Sequence, residues 1–153
     1  MPYPPLVQYA TIGEYRSRWI RCYCAGPIMT FDGIAVRFRR DKFPHYFFES
    51  SGRDGNKDQF SPKRAERIDW IKATLEDAKA ELFVGWDKGK RRYDLSRRVA
   101  VVMGDYVVII ALTGEATADF VSAYVADTPA SAGRRSTLEM IRRGPAWKRE
   151  GDR

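Results

Sequence analysis

The chain has 153 residues, with 27 Lys and Arg against 20 Asp and Glu, a formal net charge of +7. That length suits a single domain, and eight Phe, eight Tyr and four Trp supply a hydrophobic core without disulfide or metal staples. The longest apolar run, Tyr106 to Leu112, has strand length and falls short of the ~20 residues of a membrane span; Met1-Pro2-Tyr3-Pro4-Pro5 carries no secretory pattern, so a cytoplasmic protein with no membrane partner is expected.

Three prolines make residues 1–10 irregular. Residues 12–24 have helical spacing, with Ile12, Tyr15, Trp19 and Cys22 on one stripe and arginines on another. Gly26-Pro27 ends that helix. Cys22 and Cys24 are too close for a relaxed disulfide and have too few companions for a metal site, so they read as ordinary thiols. Residues 1–40 are rich in arginine: Arg16, Arg18, Arg21, Arg37, Arg39 and Arg40 stand against Glu14 and Asp32.

Ile28 to Phe31 and Ile34 to Phe38 flank Asp32-Gly33, a hairpin signal. A turn at Asp41-Lys42 leads to a short aromatic strand, His45 to Glu49, and residues 50–58 form a Gly- and Asp-rich loop. Ser61 is a suitable N-cap and Pro62 suits the first helical position. Ala65, Ile68, Ile71, Leu75 and Ala78 then recur as the buried stripe of one helix, with Arg64 and Arg67 close together on a neighbouring face.

Beyond that helix the period changes to that of strands. Glu81 to Trp86 is one, Asp87 to Lys90 a basic turn, Arg98 to Met103 another strand, and Gly104-Asp105 a tight turn. Tyr106 to Thr113 reads as a central buried strand and Phe120 to Val125 as the last. Residues 88–98 hold Lys88, Lys90, Arg91, Arg92, Arg97 and Arg98 against Asp94. Domain residues 1–130 precede a basic C-terminal tail, 131–153, with a short helix from Ser136 to Arg143. The order is helix, hairpin, helix, then antiparallel meander, which predicts an α+β fold with its helices on one face of an antiparallel sheet.

His45 is the only histidine. Its imidazole is the one side chain with an ordinary pKa near neutrality, so it is a candidate proton carrier; the plainer alternative is a half-buried strand residue bonded to a carbonyl. Clustered arginine is the electrostatic footprint of a phosphate or nucleic-acid binder, or simply a soluble cationic surface. Neither a Gly-rich phosphate loop nor a metal-ligand cluster is visible, and no cofactor is expected.

Several pieces resemble the phage-associated nuclease-like domains grouped with barnase, EndoU, some colicins and RelE. They are Phe31 to Phe38, Phe43-Pro44-His45-Tyr46-Phe47-Phe48, the stretch Phe60 to Ile71, and the late strand ending Ser122-Ala123-Tyr124, over roughly residues 28–126. The resemblance implies an N-terminal helix and β-hairpin with an amphipathic helix packed on an antiparallel sheet, and a toxin-like, metal-independent ribonuclease. In such an enzyme the RNA 2′-hydroxyl attacks the adjacent phosphorus while the protein moves two protons and stabilises the phosphoryl oxygens. His45 is then the proton carrier, Arg64 and Arg67 the phosphate clamps, and Glu49, on the same strand face as His45, a base or orienting group. Tyr124 and Ser122, together on the last strand, contact phosphate or stack on a base; Lys88, Lys90, Arg91 and Arg92 face RNA. RNA is the expected partner, with an acidic antitoxin or immunity protein as a second. The alternative is a non-catalytic nucleic-acid-binding or phage accessory protein with a basic surface.

Overall fold

The computed structural model of the chain describes residues 3–49, 59–87, 92–93, 98–126 and 137–147. Helix α1 (Ile12–Cys22) begins at Thr11, whose hydroxyl accepts the Glu14 amide at 3.3 Å and donates to the Glu14 carboxylate at 3.0 Å. Tyr15 and Trp19 are buried as expected, whereas Ile12 and Cys22, in the end turns, are exposed. Tyr23, just past the helix, takes the buried place instead, because its long ring reaches the Ile68 carbonyl with a hydrogen bond. Trp19 packs among the rings of Tyr23, Phe38, Tyr46, Phe47 and Phe120, the aromatic centre of the core.

Strands β1 (Ile28–Met29) and β2 (Ala35–Arg37) pair antiparallel about a turn in which Gly33 has φ 89°. That left-handed conformation costs glycine nothing. The next segment departs from the sequence expectation. His45 lies not in a strand but in a short helix, α2 (Phe43–Phe47), which follows one 3-10 turn at Arg40–Lys42. Phe43, Tyr46 and Phe47 recur at helical spacing and are buried, and Pro44 sits in the first turn, so Pro44 and His45 face outward. Only β3 (Phe48–Glu49) is extended, paired with β4 (Gln59–Phe60).

The expected single helix is two, α3 (Pro62–Ala65) and α4 (Ile68–Glu76). Ser61 caps the first, its side chain accepting from the Arg64 amide at 3.3 Å. Ala65, Ile68, Ile71 and Leu75 form the buried stripe, but Ala78 lies past the end of α4 and is exposed.

The main sheet contains β5 (Glu81–Val84), β8 (Arg98–Met103), β9 (Tyr106–Leu112) and β10 (Thr117–Val125); β6 (Trp86–Asp87) and β7 (Arg92–Tyr93) pair separately. Its order is β1-β2-β10-β9-β8-β5. The meander β8-β9-β10 is antiparallel, with Gly104 at φ 62° in its first turn. β10 begins at Thr117, earlier than expected, and there lies parallel to β2, Thr117 opposite Ala35 and Asp119 opposite Arg37. This parallel contact joins the N-terminal hairpin to the meander.

Alternate residues of β8 and β9 face opposite sides. Val99, Val101, Tyr106, Val108 and Ile110 enter the core beneath α1 and α4. Ala100, Val102, Val107 and Ile109 face the other way and pack against Leu138 and Ile141 of α5 (Thr137–Arg143). The helices therefore do not all lie on one face, because the strands of this sheet are apolar on both sides. Among the described residues, no helix is long and apolar enough to cross a membrane.

Candidate phosphate-binding cleft

An open cavity of about 310 Å³ lies where β9 begins and β10 ends, against α3 and the start of α4. Glu49, Lys63, Arg64, Arg67, Tyr106, Tyr124 and Val125 line it. Two local features bring them together. The first is the break between α3 and α4. The Trp70 amide bonds the Arg67 carbonyl at 2.9 Å, and the Glu66 carbonyl accepts the Val7 amide at 2.8 Å. Lys63, Arg64 and Arg67 are thus presented around a corner. The second is a register shift in β10 between Phe120 and Ser122. Before it, Ala118 and Phe120 fill the core; after it, Ala123 and Val125 do, while Tyr124 packs with the opposite cluster. A bulge re-aims the side chains that follow it, and here it frees Tyr124 from the core face.

The charge on the lining is cationic: one ammonium and two guanidinium groups against one carboxylate. Arg64 Nε lies 3.5 Å from Glu49 Oε1, and Arg64 Nη1 donates to the Tyr46 carbonyl at 3.4 Å, at the C-terminal end of α2. Arg67 Nη1 donates to the Lys63 carbonyl and to Glu66 Oε1, each at 2.8 Å, and its guanidinium carbon stands 4.9 Å from the centre of the Trp70 ring. Arg67 Nε is buried without a hydrogen-bond partner among the described residues. A buried donor left unmatched costs the fold free energy.

Tyr106 forms part of the wall from within the core. Burial, then the neighbouring Tyr23, pushes its phenol well above the ordinary range, while the Arg67 and Arg64 charges pull the other way. It therefore stays protonated and offers a hydrogen-bond donor at any cellular pH.

Of the site residues expected from sequence, Glu49, Arg64, Arg67 and Tyr124 meet at this cavity. His45 does not line it; it is exposed on α2. Ser122 is half-buried on β10 and Arg92 is exposed on β7, both outside the lining. Lys88, Lys90 and Arg91 lie outside the described residues. Lys63 and Tyr106 were not expected. Lys63 was legible as the cation preceding Arg64 on the same helix; Tyr106 looked like the first residue of a core strand, which it also is. Cys22 and Cys24 are both free thiols.

Comparison of the chain with protein-family models, with curated proteins and with solved structures returned no match.

Proposed function

We propose that the protein is a ribonuclease that cleaves RNA by attack of the 2′-hydroxyl, with the cationic cavity as its active site and Glu49, rather than His45, as its base. The observation carrying this assignment is the meeting of Glu49, Arg64, Arg67 and Tyr124 around one open cavity. The guanidinium groups of Arg64 and Arg67, with the Lys63 ammonium, hold the non-bridging oxygens of the scissile phosphate. The Glu49 carboxylate takes the 2′-hydroxyl proton as the 2′-oxygen bonds to phosphorus. The bond from phosphorus to the 5′-oxygen breaks, and the Tyr124 phenol gives that oxygen a proton. Tyr106, neutral at the cavity wall, donates to the negative charge that grows on the phosphoryl group. The products are a 2′,3′-cyclic phosphate and a free 5′-hydroxyl.

The test is cleavage of single-stranded RNA in EDTA, with the ends of the products identified. Glu49→Gln is expected to lower kcat by about a hundredfold or more, the usual scale for a general base, and His45→Ala to leave it nearly unchanged. A Glu49→Gln enzyme with full activity overturns the assignment of the base. RNA bound but left intact by the native protein favours a non-catalytic nucleic-acid-binding role.

A further inference from the structure

Outside the cavity, and among the described residues, exposed positive charge is concentrated in the segment that links β2 to α2. Arg37, Arg39, Arg40 and Lys42 are all exposed there, while Phe38 between them and Val36 before them are buried. Among the described residues, two acids answer the four cations: Asp41 within the turn, and Asp119, 3.4 Å from Arg39. His45 is exposed on the helix that follows.

This basic turn is connected to the cavity by β10. Within β10, only Thr117, Ala118 and Asp119 pair with β2. Among the described residues, β10 from Phe120 to Val125 therefore has no strand on its β2 side. Asp119, at the basic turn, marks one end of that edge, and Tyr124, at the cavity, marks the other. They are five strand steps apart, about 17 Å at the usual rise. Ser122 lies between, half-buried. Helix α2 is docked alongside, the Tyr46 hydroxyl donating to the Phe120 carbonyl at 3.1 Å.

We propose that the surface along this stretch of β10, beside α2, is a binding track for single-stranded RNA: the strand leaves the cavity past Tyr124 and Ser122, and its phosphates are held by Arg37, Arg39, Arg40 and Lys42, with His45 at its flank. The track rests on the ribonuclease assignment for its substrate but involves different residues. It predicts that long substrates are favoured over short ones, since a dinucleotide fills the cavity alone.

The experiment compares the native chain with the triple variant Arg37→Gln, Arg40→Gln, Lys42→Gln, whose altered side chains are all exposed. Circular dichroism checks that its fold is kept. Two measurements are made: cleavage of a dinucleotide and of a single-stranded decamer, and salt-dependent binding of a 2′-O-methylated decamer that cannot be cleaved. The expected result is a rise of about tenfold in KM for the decamer, with kcat and dinucleotide cleavage unchanged. The slope of log affinity against log salt should flatten by about 2, since each single-strand phosphate contact contributes about 0.7. Asp41→Asn should tighten decamer binding. An unchanged salt slope and decamer KM in the triple variant overturn the track while leaving the ribonuclease assignment standing. A flattened slope in a protein that never cuts RNA keeps the track and removes the catalytic assignment.

Discussion

Arg67 shows what a single side chain contributes here. Its guanidinium is fixed by the Lys63 carbonyl, by Glu66 and by the Trp70 ring, yet among the described residues its Nε remains buried and unmatched. Such a donor detracts from folding. A charge held half-buried beside a cavity suits binding better than stability. Arg67→Met should therefore cost about 1 kcal/mol of unfolding free energy, the scale of an ion pair that keeps access to solvent, while inorganic phosphate affinity falls by about tenfold. Urea unfolding and isothermal titration measure the two separately, and a large loss of stability with phosphate binding intact would show the role to be structural. The pairing of Arg64 with Arg67 was legible from their spacing. The place of His45 was not, because a five-residue aromatic segment fits either a strand or a turn of helix, and only the burial of Phe43, Tyr46 and Phe47 together decides it.

At the level of elements, the corner between α3 and α4 is held by the N-terminal segment. Tyr3 stacks on Trp70 with ring centres 4.0 Å apart, Trp70 Nε1 donates to the Pro4 carbonyl at 2.8 Å, and the Val7 amide takes the Glu66 carbonyl. The Tyr3 hydroxyl reaches the Met103 carbonyl. Glu66 and Trp70, which hold Arg67, are thus themselves held by residues 3–7. Tyr3→Ala should weaken phosphate binding several-fold without altering any residue of the cavity, and Tyr3→Phe, which keeps the stack, should recover most of it; a titration followed by NMR reads both. If Tyr3→Ala binds phosphate normally, the segment merely covers the core. From sequence, Ser61 to Ala78 reads as one unbroken helix, since no glycine or proline interrupts it. The break arises because a distant amide competes for the Glu66 carbonyl.

For the molecule as a whole, the C-terminal residues close the sheet. Trp147 is buried in the main core, its amide donates to the Leu82 carbonyl at 3.1 Å, and the Val84 amide reaches the Pro145 carbonyl at 2.8 Å. Residues 145–147 thereby cover the outer edge of β5, which would otherwise be open to pairing with other chains. Trp147→Ala should destabilise the fold by about 3 kcal/mol, the usual scale for a buried tryptophan, and promote aggregation; urea unfolding and light scattering check both. The tyrosines predict a second global property. Burial raises the Tyr46 phenol to about 12, Asp119 and Asp41 adding to the shift and Arg39 opposing it, and burial also raises Tyr23 and Tyr106. An unfolded tyrosine ionises near 10. Above that pH the unfolded chain releases protons that the folded chain retains, so stability is complete below pH 10 and falls as pH rises toward 12. Denaturant unfolding at stepped alkaline pH should show this decline, and phenolate absorbance should lag in the folded protein.

The sequence by itself determined the α+β class, the hairpin at Asp32-Gly33, the Ser61 cap, the meander from Arg98 to Val125 and the helical character of residues 137–143. Each of these depends on neighbours in the chain: a turn residue, a cap, or a period of two or near four. Tertiary structure alone decided the parallel pairing of β2 with β10, the corner before Ile68, the bulge that turns Tyr124 toward the cavity, and the separation of His45 from the paired arginines. These depend on partners far away in the chain, where hydrogen-bonding and packing choices are settled by three-dimensional competition and leave no local pattern to read.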